Sequence, residues 1–140
     1  MVSFTVPGDP VPQGRPKFTT RGGFARAYDP AKSRAYKARV AEIGCISCRR
    51  PMQGPLRVTL AIYRPIQKSI SKTKHRARVE GRELPVVKPD VDNVFKAVTD
   101  ALKGITWVDD NQICEAIISK KYSDAPRVEV KIEEINTHEN

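Results

Sequence analysis

Alternation of apolar and polar residues predicts four strands along the chain. A short alternating run at residues 2–6 gives the first, and a longer run at residues 56–63 gives the second. Residues 112–122 have the composition of a third strand, and residues 127–134 alternate cleanly enough to predict a fourth. The segment 124–126 between the last two contains Asp and Pro and is typical of a turn, so we expect a closing hairpin.

Helical spacing of apolar residues indicates two main helices. The first begins after Asp29, which is followed by a proline suited to the first helical position, and its pattern stops at Gly44. We therefore predict a helix over residues 30–43. The second covers residues 91–103 and ends at Gly104. Its apolar positions are Val94, Phe95, Val98, Ala101 and Leu102, and its polar side carries Asp92, Lys96, Thr99 and Lys103.

Three internal segments lack a periodic pattern. Residues 7–16 are rich in proline and glycine, which disfavour regular structure and predict a shaped loop. Residues 17–26 contain Arg21-Gly22-Gly23, which is suited to the basic tip of a hairpin. Residues 64–83 carry seven Lys or Arg against two Glu, and we expect a flexible basic arm there. The tail, residues 136–140, should fray.

These elements predict a small α+β protein in which a mixed or antiparallel sheet packs against the two main helices. The length of 140 residues fits one domain, so we expect residues 1–140 to form a single unit. Apolar residues make up 39% and charged residues 29%, which is the composition of a folded protein rather than of a disordered chain.

The chain is strongly basic, with 25 Lys and Arg against 16 Asp and Glu and a formal charge of +9. Such an excess is typical of proteins that bind polyanions. No apolar run is long enough to span a membrane, and residues 1–20 lack the apolar core of a signal peptide. We therefore expect a cytoplasmic protein whose partner is nucleic acid rather than a membrane.

The basic residues concentrate in two regions. Eight Lys or Arg and a single acid, Asp29, lie between Arg15 and Arg39, and the second region is the basic arm 64–83. Such residues are often merely solvated, but this density is also suited to binding phosphate groups. The candidate DNA-binding residues are Arg15, Lys17, Arg21, Lys72, Lys74 and Arg76.

The three cysteines are predicted to be free thiols, because disulfides rarely persist in the cytoplasm. Cys45 and Cys48 have the spacing of half a zinc knuckle or of a redox pair. A closed zinc site would need two further ligands, and Cys114, His75 and His138 do not provide a matching second pair. We therefore expect neither a zinc site nor an organic cofactor.

Two pairs of aspartates, Asp90 with Asp92 and Asp109 with Asp110, flank the second predicted helix. That helix carries the chain roughly 18 Å from the first pair, and about six extended residues after it span the return of roughly 20 Å. If residues 105–108 form a strand that runs back beside the helix, three or four carboxylates converge. Like charges so close repel one another unless a cation lies among them, and Mg²⁺ prefers oxygen ligands of this kind.

Each pair also has a simpler explanation. Asp90 and Asp92 are placed to cap a helix, and Asp109 and Asp110 to form a polar turn. The presence of both pairs, joined by an element whose length returns one to the other, favours a metal site.

Near these aspartates, Lys96 and Trp107 each have two possible roles, whereas Asp100 has one. Lys96 can pair with an aspartate four residues away, Asp92 or Asp100, or it can face the metal site and contact the scissile phosphate. Asp100 is assigned to structure. Trp107 is expected in the core, with base stacking as the alternative.

The stretch KPDVDNVFKAVTDALKG at residues 88–104, followed by WVDDNQI at residues 107–113, resembles the RusA-like Holliday junction resolvases. These are small endonucleases often carried by phages and prophages. The match covers about residues 85–121, and the opening GDPVPQGRPKF at residues 8–18 also resembles that family. The resemblance implies that the metal-binding catalytic acids are Asp90, Asp92 and Asp110, with Lys96 as an essential basic residue and Asp109 of lesser weight.

The resemblance also implies a homodimer that depends on Mg²⁺, with Mn²⁺ able to replace it. Such a dimer makes paired, symmetric nicks at a four-way DNA junction in recombination and repair. The chain differs from the commoner pattern in having Val94 where leucine is frequent and in its long basic segment 64–83.

Two other functions compete with a magnesium-dependent, structure-selective endodeoxyribonuclease. A non-catalytic basic nucleic-acid-binding protein would explain the charge of +9, but not a cluster of aspartates that repels phosphate in the absence of metal. A phosphotransfer receiver would use acids and a lysine around Mg²⁺, but the basic charge and the lack of alternating parallel-sheet units argue against it.

Overall fold

A four-stranded mixed sheet forms the centre of the computed structural model, which describes residues 1–15 and 17–136. In chain order the elements are β1 (Val2–Pro7), β2 (Lys17–Thr19), β3 (Arg26–Tyr28), α1 (Ala31–Ser47), β4 (Leu56–Pro65), α2 (Lys72–Val79), α3 (Val91–Leu102), β5 (Ile113–Ser123) and β6 (Arg127–Glu134). The sheet order is β1-β6-β4-β5, in which β6 is antiparallel to both neighbours and β5 is parallel to β4. Strands β2 and β3 form a separate antiparallel hairpin. The α+β expectation with a mixed sheet is confirmed.

The core lies between one face of the sheet and the helices α1 and α3. Alternation in β4 and β6 puts every second side chain on this face, as the sequence predicted. The fully buried strand residues are Val6, Leu56, Val58, Leu60, Ile62, Val128 and Ile132. The helices contribute Val40, Val94, Val98 and Leu102, and Trp107 is also fully buried. The core position predicted for Trp107 is confirmed, and base stacking by this residue is excluded.

Helix α1 continues past Gly44, where we had predicted its end, and reaches Ser47. Gly44 is buried where α1 crosses α3. A Cβ atom at this position would lie 2.5 Å from Cδ2 of Leu102 and 3.7 Å from Cζ of Phe4. The glycine therefore permits the close approach of the two helices and does not end the first one.

Substitution Gly44→Ala should destabilise the fold because the fully buried Leu102 side chain would have to shift within a packed core. Overpacking of this kind costs about 1–3 kcal/mol, which exceeds the gain of about 1 kcal/mol from the better helix former. We expect a net loss of about 1 kcal/mol in the free energy of unfolding, measured with urea. The exposed neighbour provides the control, since Cys45→Ala should change that free energy by less than about 0.5 kcal/mol. Equal or greater stability of Gly44→Ala would contradict the packing argument.

The predicted closing hairpin of β5 and β6 is wrong, because β4 lies between these two strands. Ser123 at the end of β5 lies beside Pro65, and Arg127 at the start of β6 lies beside Tyr63, on the other side of β4. The turn 124–126 therefore crosses the end of β4, a distance of two strand spacings or about 10 Å. Alternation identifies strands but not their neighbours in the sheet.

The basic segment 64–83 was predicted to lack regular structure, which is wrong for residues 72–79 because they form α2. Ser71 is the N-cap residue of this helix, and its hydroxyl accepts a hydrogen bond from the backbone N–H of Lys74 at 3.2 Å. Arg78 is buried, pairs with Glu83 at 3.2 Å, and lies 4.4 Å above the ring of Tyr122 on β5. The hydrogen bond from Arg78 lowers the pKa of the Glu83 carboxyl. A cation on an aromatic ring fixes α2, and apolar periodicity does not reveal such an anchor.

The remaining general predictions can be compared with the described part of the chain. Cys45, Cys48 and Cys114 are free, as predicted, with Cys48 buried and the other two exposed. The fraying predicted for residues 136–140 stays a prediction, because all of them except Asn136 lie outside the described residues. No helix within residues 1–15 and 17–136 is long and apolar enough to cross a membrane.

Candidate active site

Asp90 and Asp92 lie at the start of α3, as the sequence predicted. Asp90 is the N-cap residue by its backbone, but its side chain makes no capping hydrogen bond, and Asp92 lies in the first helical turn. Both side chains are exposed. The simpler explanation, that Asp90 serves as a side-chain cap, therefore does not hold, and its carboxylate is free to bind a ligand.

Asp90 opens onto a cleft of about 780 Å³. The loop after β1, the start of α1, the end of β4 and the start of α3 all contribute to its walls. The cations that line it are Arg15, Lys32, Arg64, Lys88 and Lys96, and the acids are Asp9 and Asp90. Asp9 is ion-paired with Arg64. A cleft with this excess of positive charge is suited to an anionic ligand such as a DNA backbone.

Lys96 lies one turn along α3 from Asp92 and lines the cleft onto which Asp90 opens, whereas Asp92 does not line that cleft. Within the described residues it makes no ion pair with Asp92 or Asp100, although both are at helical spacing. Asp100 instead lies 3.5 Å from Lys37 of α1, which agrees with the structural role predicted for it. The ammonium group of Lys96 is therefore available to a bound phosphate.

Asp109 has a structural role in the turn before β5. Its side chain accepts a hydrogen bond from the backbone of Asn111, and the amide oxygen of Gln112 accepts from the backbone of Asp109 at 2.9 Å. Asp110 accepts a hydrogen bond at 2.8 Å from the indole N–H of the buried Trp107. That bond uses one carboxylate oxygen, Oδ1, and orients the other.

The two aspartate pairs do not converge within one chain, and that prediction is wrong. Residues 105–108 form a turn rather than a strand that returns along α3. Asp110 precedes the start of β5, whereas Lys120 near the other end of β5 binds the carbonyl of Pro89, next to Asp90. The seven residue-to-residue steps from Ile113 to Lys120 correspond to roughly 23 Å of strand. Among the described residues, no group of three His, Cys, Asp or Glu side chains is arranged to hold a metal ion.

The loop after β1 is fixed against both helices beside the cleft. The backbone N–H of Gln13 donates to the carbonyl of Asn93 at 3.0 Å, and its side-chain amide donates to Asp29 at 2.8 Å. Asp29 also accepts a hydrogen bond from Lys37 at 2.7 Å. This bond and the charge of the lysine lower the pKa of the Asp29 carboxyl.

Burial raises the pKa of the Tyr36 phenol to about 12, so this group stays neutral at physiological pH.

Comparison with known proteins identifies the family. The family model of endodeoxyribonuclease RusA matches residues 7–133, which is most of the chain. The chain belongs to the RusA family. Membership implies Holliday junction endonuclease activity, as the motifs at residues 88–104 and 107–113 had indicated. The chain is also 42% identical over 140 residues to the uncharacterized protein YqaN of Bacillus subtilis (strain 168), with 96% of this chain and 97% of that protein covered.

The candidate DNA-binding residues of this RusA-family chain fall into three places. Arg15 lines the cleft with Asp90 and Lys96. Lys17 and Arg21 belong to the β2–β3 hairpin and are exposed. Lys72, Lys74 and Arg76 belong to α2, where Lys72 and Arg76 line a second cleft of about 660 Å³.

Several residues that line the candidate site of this RusA-family chain were not predicted from the sequence. Arg64, Lys32 and Lys88 line the cleft, but only Lys88 lies next to the aspartate motif in sequence. Arg64 was assigned to the basic arm, although it belongs to the end of β4. Lys120 was not singled out. Its ammonium group donates to the carbonyls of Val87 at 2.6 Å and Pro89 at 3.0 Å, and so fixes the loop that leads into Asp90.

Lys120 acts through the loop and is therefore a positioning residue. We expect Lys120→Met to lower the rate of junction cleavage by about tenfold, since a small displacement of a catalytic group has a large effect on rate. The far-UV spectrum should not change. Lys121→Met, at the exposed neighbouring position, should have no effect on rate. Because the loop rather than the reaction is altered, a higher concentration of Mg²⁺, the ion proposed below, should partly restore the rate of Lys120→Met. Full activity of Lys120→Met at limiting Mg²⁺ would show that the anchor is dispensable.

Proposed function

We propose that this RusA-family protein is a magnesium-dependent endodeoxyribonuclease that resolves four-way DNA junctions by paired, symmetric nicks. Its place would be in DNA recombination and repair in the cytoplasm. The observation that carries the proposal is the free carboxylate of Asp90 in a cleft whose other charged residues are cations, apart from Asp9. The cations attract the DNA backbone, and the carboxylate marks the point at which a divalent ion would bind.

The donor set at the start of α3 fits Mg²⁺. This ion takes one or two protein carboxylates and completes its shell with water and phosphate oxygens, and Asp90 and Asp92 are two exposed carboxylates one residue apart. The absence of histidine from residues 88–120 argues against zinc. When bound, such an ion would neutralise charge on the phosphate and lower the pKa of water.

The chain's own cations have distinct tasks in this proposal. Lys96 lies on α3 close to the acids and would stabilise the charge that develops on the phosphate during cleavage. Arg15 and Lys32 line other parts of the cleft and would hold the flanking backbone. Arg64 is already paired with Asp9, so its main contribution would be to hold the loop after β1 in place.

A homodimer would explain the position of Asp110. Within one chain Asp110 and Asp90 lie near opposite ends of β5, and a two-fold axis across β5 exchanges these ends. We propose that Asp110 of the partner subunit joins Asp90 and Asp92. The site is then completed only when two copies associate.

The surface around β5 supports association of two copies. β5 is an edge strand, and one of its sides has no strand partner in the sheet. Ile117 on β5 is 47% exposed, and the loop that Lys120 binds exposes Leu84, Val86 and Val87, with Val86 at 93%. Apolar residues grouped in this way are typical of an interface.

Incubation with a synthetic four-way junction, with and without Mg²⁺, tests the proposed activity. We expect nicks that depend on Mg²⁺, fall on two opposed strands at symmetric positions, and leave 5′-phosphate and 3′-hydroxyl ends. Mn²⁺ should replace Mg²⁺. Binding that is indifferent to divalent ions and never followed by nicking would favour the rival function, a non-catalytic nucleic-acid-binding protein. Stable labelling by a phosphodonor would favour a receiver.

A further inference from the structure

Exposed aromatic residues concentrate on the β2–β3 hairpin. Phe18 is 74% exposed, Phe24 is 70% exposed and Tyr28 is 44% exposed. They are the only strongly exposed aromatic residues in the described part of the chain. The hairpin is short, and from Lys17 to Tyr28 every residue except Thr19 is exposed. Rings held in water on an element that contributes nothing to the core require another explanation.

The register of the hairpin leaves the rings open. Phe18 pairs across the strands with Ala27, so the residue beside its ring is small. Tyr28 pairs with Lys17, and Arg26 lies two residues before it on the same face. Phe24 follows the tip, where Gly22 and Gly23 both have φ of +83° and an added Cβ would meet nothing within 4 Å.

The hairpin carries cations and no acids. Its cations are Lys17, Arg21 and Arg26, and no Asp or Glu occurs between Asp9 and Asp29. None of the three cations makes an ion pair with another described residue. Rings interleaved with unpaired cations are complementary to one chemistry in particular, that of a nucleic acid strand with unstacked bases.

We propose that the β2–β3 hairpin binds unpaired bases of the DNA substrate by stacking them on Phe18, Phe24 and Tyr28. Unpairing costs least for a base that is mismatched or already single-stranded, and a base freed at a branch point can stack on an aromatic side chain. The cations of the hairpin hold the adjacent phosphates. The hairpin then contributes selectivity for branched over fully paired DNA, because paired bases inside a duplex do not offer their faces. This inference rests on the proposed function for its substrate, but it concerns binding and not cleavage.

The test compares the affinities of variants for three DNAs in buffer with EDTA, so that cleavage plays no part. The DNAs are an oligo-dT single strand, a four-way junction and a duplex of the same arm sequence. For Phe18→Ala/Phe24→Ala/Tyr28→Ala we expect a loss of about tenfold or more on the single strand, a smaller loss on the junction, and little change on the duplex. The matched control Lys17→Gln/Arg21→Gln/Arg26→Gln should weaken binding to all three DNAs and reduce the salt dependence.

Three results would overturn the proposal. Undiminished binding of the aromatic variant to the single strand would show that the rings do not stack on bases. An equal loss on duplex and single strand would show that the rings do not discriminate. Dissociation of the aromatic variant into monomers, measured by sedimentation at a concentration where the unmutated protein is dimeric, would assign the rings to a subunit contact. Phe18→Trp/Phe24→Trp should keep the binding, which separates stacking from a fault in folding.

Failure of this proposal and failure of the proposed function are distinguishable. Junction cleavage by the unmutated protein with Mg²⁺ reports on the function, whatever the hairpin does. Loss of single-strand affinity in EDTA reports on the hairpin, whether or not the protein cleaves.

Discussion

Asp90→Asn should reduce magnesium-dependent junction cleavage by about a thousandfold while junction binding stays within a few-fold of that of the unmutated protein. Asn has the shape of Asp but lacks the charge that holds a divalent ion. The fold does not depend on the carboxylate, since the Asp90 side chain makes no capping hydrogen bond and is exposed. Removal of a negative charge from a DNA-binding cleft should not weaken binding. The two quantities are measured as a single-turnover rate and as a dissociation constant in the absence of metal.

Asp100→Asn on the same helix is the matched control for this prediction. Asp100 is exposed, lies 3.5 Å from Lys37, and is outside the cleft. Loss of an exposed ion pair of this kind costs less than about 1 kcal/mol of stability. Cleavage by Asp100→Asn should equal that of the unmutated protein. If Asp90→Asn cleaved as fast as Asp100→Asn, Asp90 would have no part in the reaction.

A heterodimer of an Asp90→Asn subunit and an Asp110→Asn subunit should recover cleavage that neither homodimer has. If each site combines Asp90 and Asp92 of one subunit with Asp110 of the partner subunit, one site of this heterodimer carries both substitutions and the other carries none. We expect about half the site activity of the unmutated dimer. A single intact site should also produce nicks in one strand rather than paired nicks. Co-expression with two affinity tags provides the heterodimer.

A heterodimer of Asp90→Asn and Asp92→Asn subunits is the control, because these two acids come from the same chain. Both of its sites are damaged, so cleavage should stay absent. Absence of recovery in the Asp90→Asn with Asp110→Asn heterodimer would mean that Asp110 is not contributed by the partner. The proposal of a shared site would then fail, whereas the role of Asp90 would be unaffected.

The periodic parts of the fold were predictable from sequence because burial imposes a period on the chain. The buried face of β4 and the apolar stripe of α3 both follow the expected spacing. The end of α1 was not predictable, since Gly44 permits a close contact with Leu102 that is 58 residues away in sequence. Helix α2 was missed because Arg78 on Tyr122, rather than an apolar stripe, holds it.

The sequence indicated candidate residues for the site but not how the fold arranges them. The Asp90 and Asp92 pair was identified from residue type and position before a helix. The path from Gly104 to Asp110 was inferred from chain length alone, and length permits a return that the turn at 105–108 does not make. The role of Lys120 could not be predicted, because it depends on which backbone carbonyl groups the fold brings within hydrogen-bond distance of its side chain.

The central claim is that a divalent ion held by Asp90 and Asp92 contacts the scissile phosphate. Sulfur substitution in the DNA tests this contact most directly. A junction with one non-bridging oxygen of the scissile phosphate replaced by sulfur is cleaved with Mg²⁺ or with Mn²⁺. Mg²⁺ is a hard ion that binds sulfur poorly, and Mn²⁺ accepts it better, so the sulfur should slow the Mg²⁺ reaction about a hundredfold and the Mn²⁺ reaction much less. The unsubstituted junction should be cleaved at similar rates with both ions. An equal effect of sulfur with both ions, or no effect with either, would contradict metal contact at that phosphate.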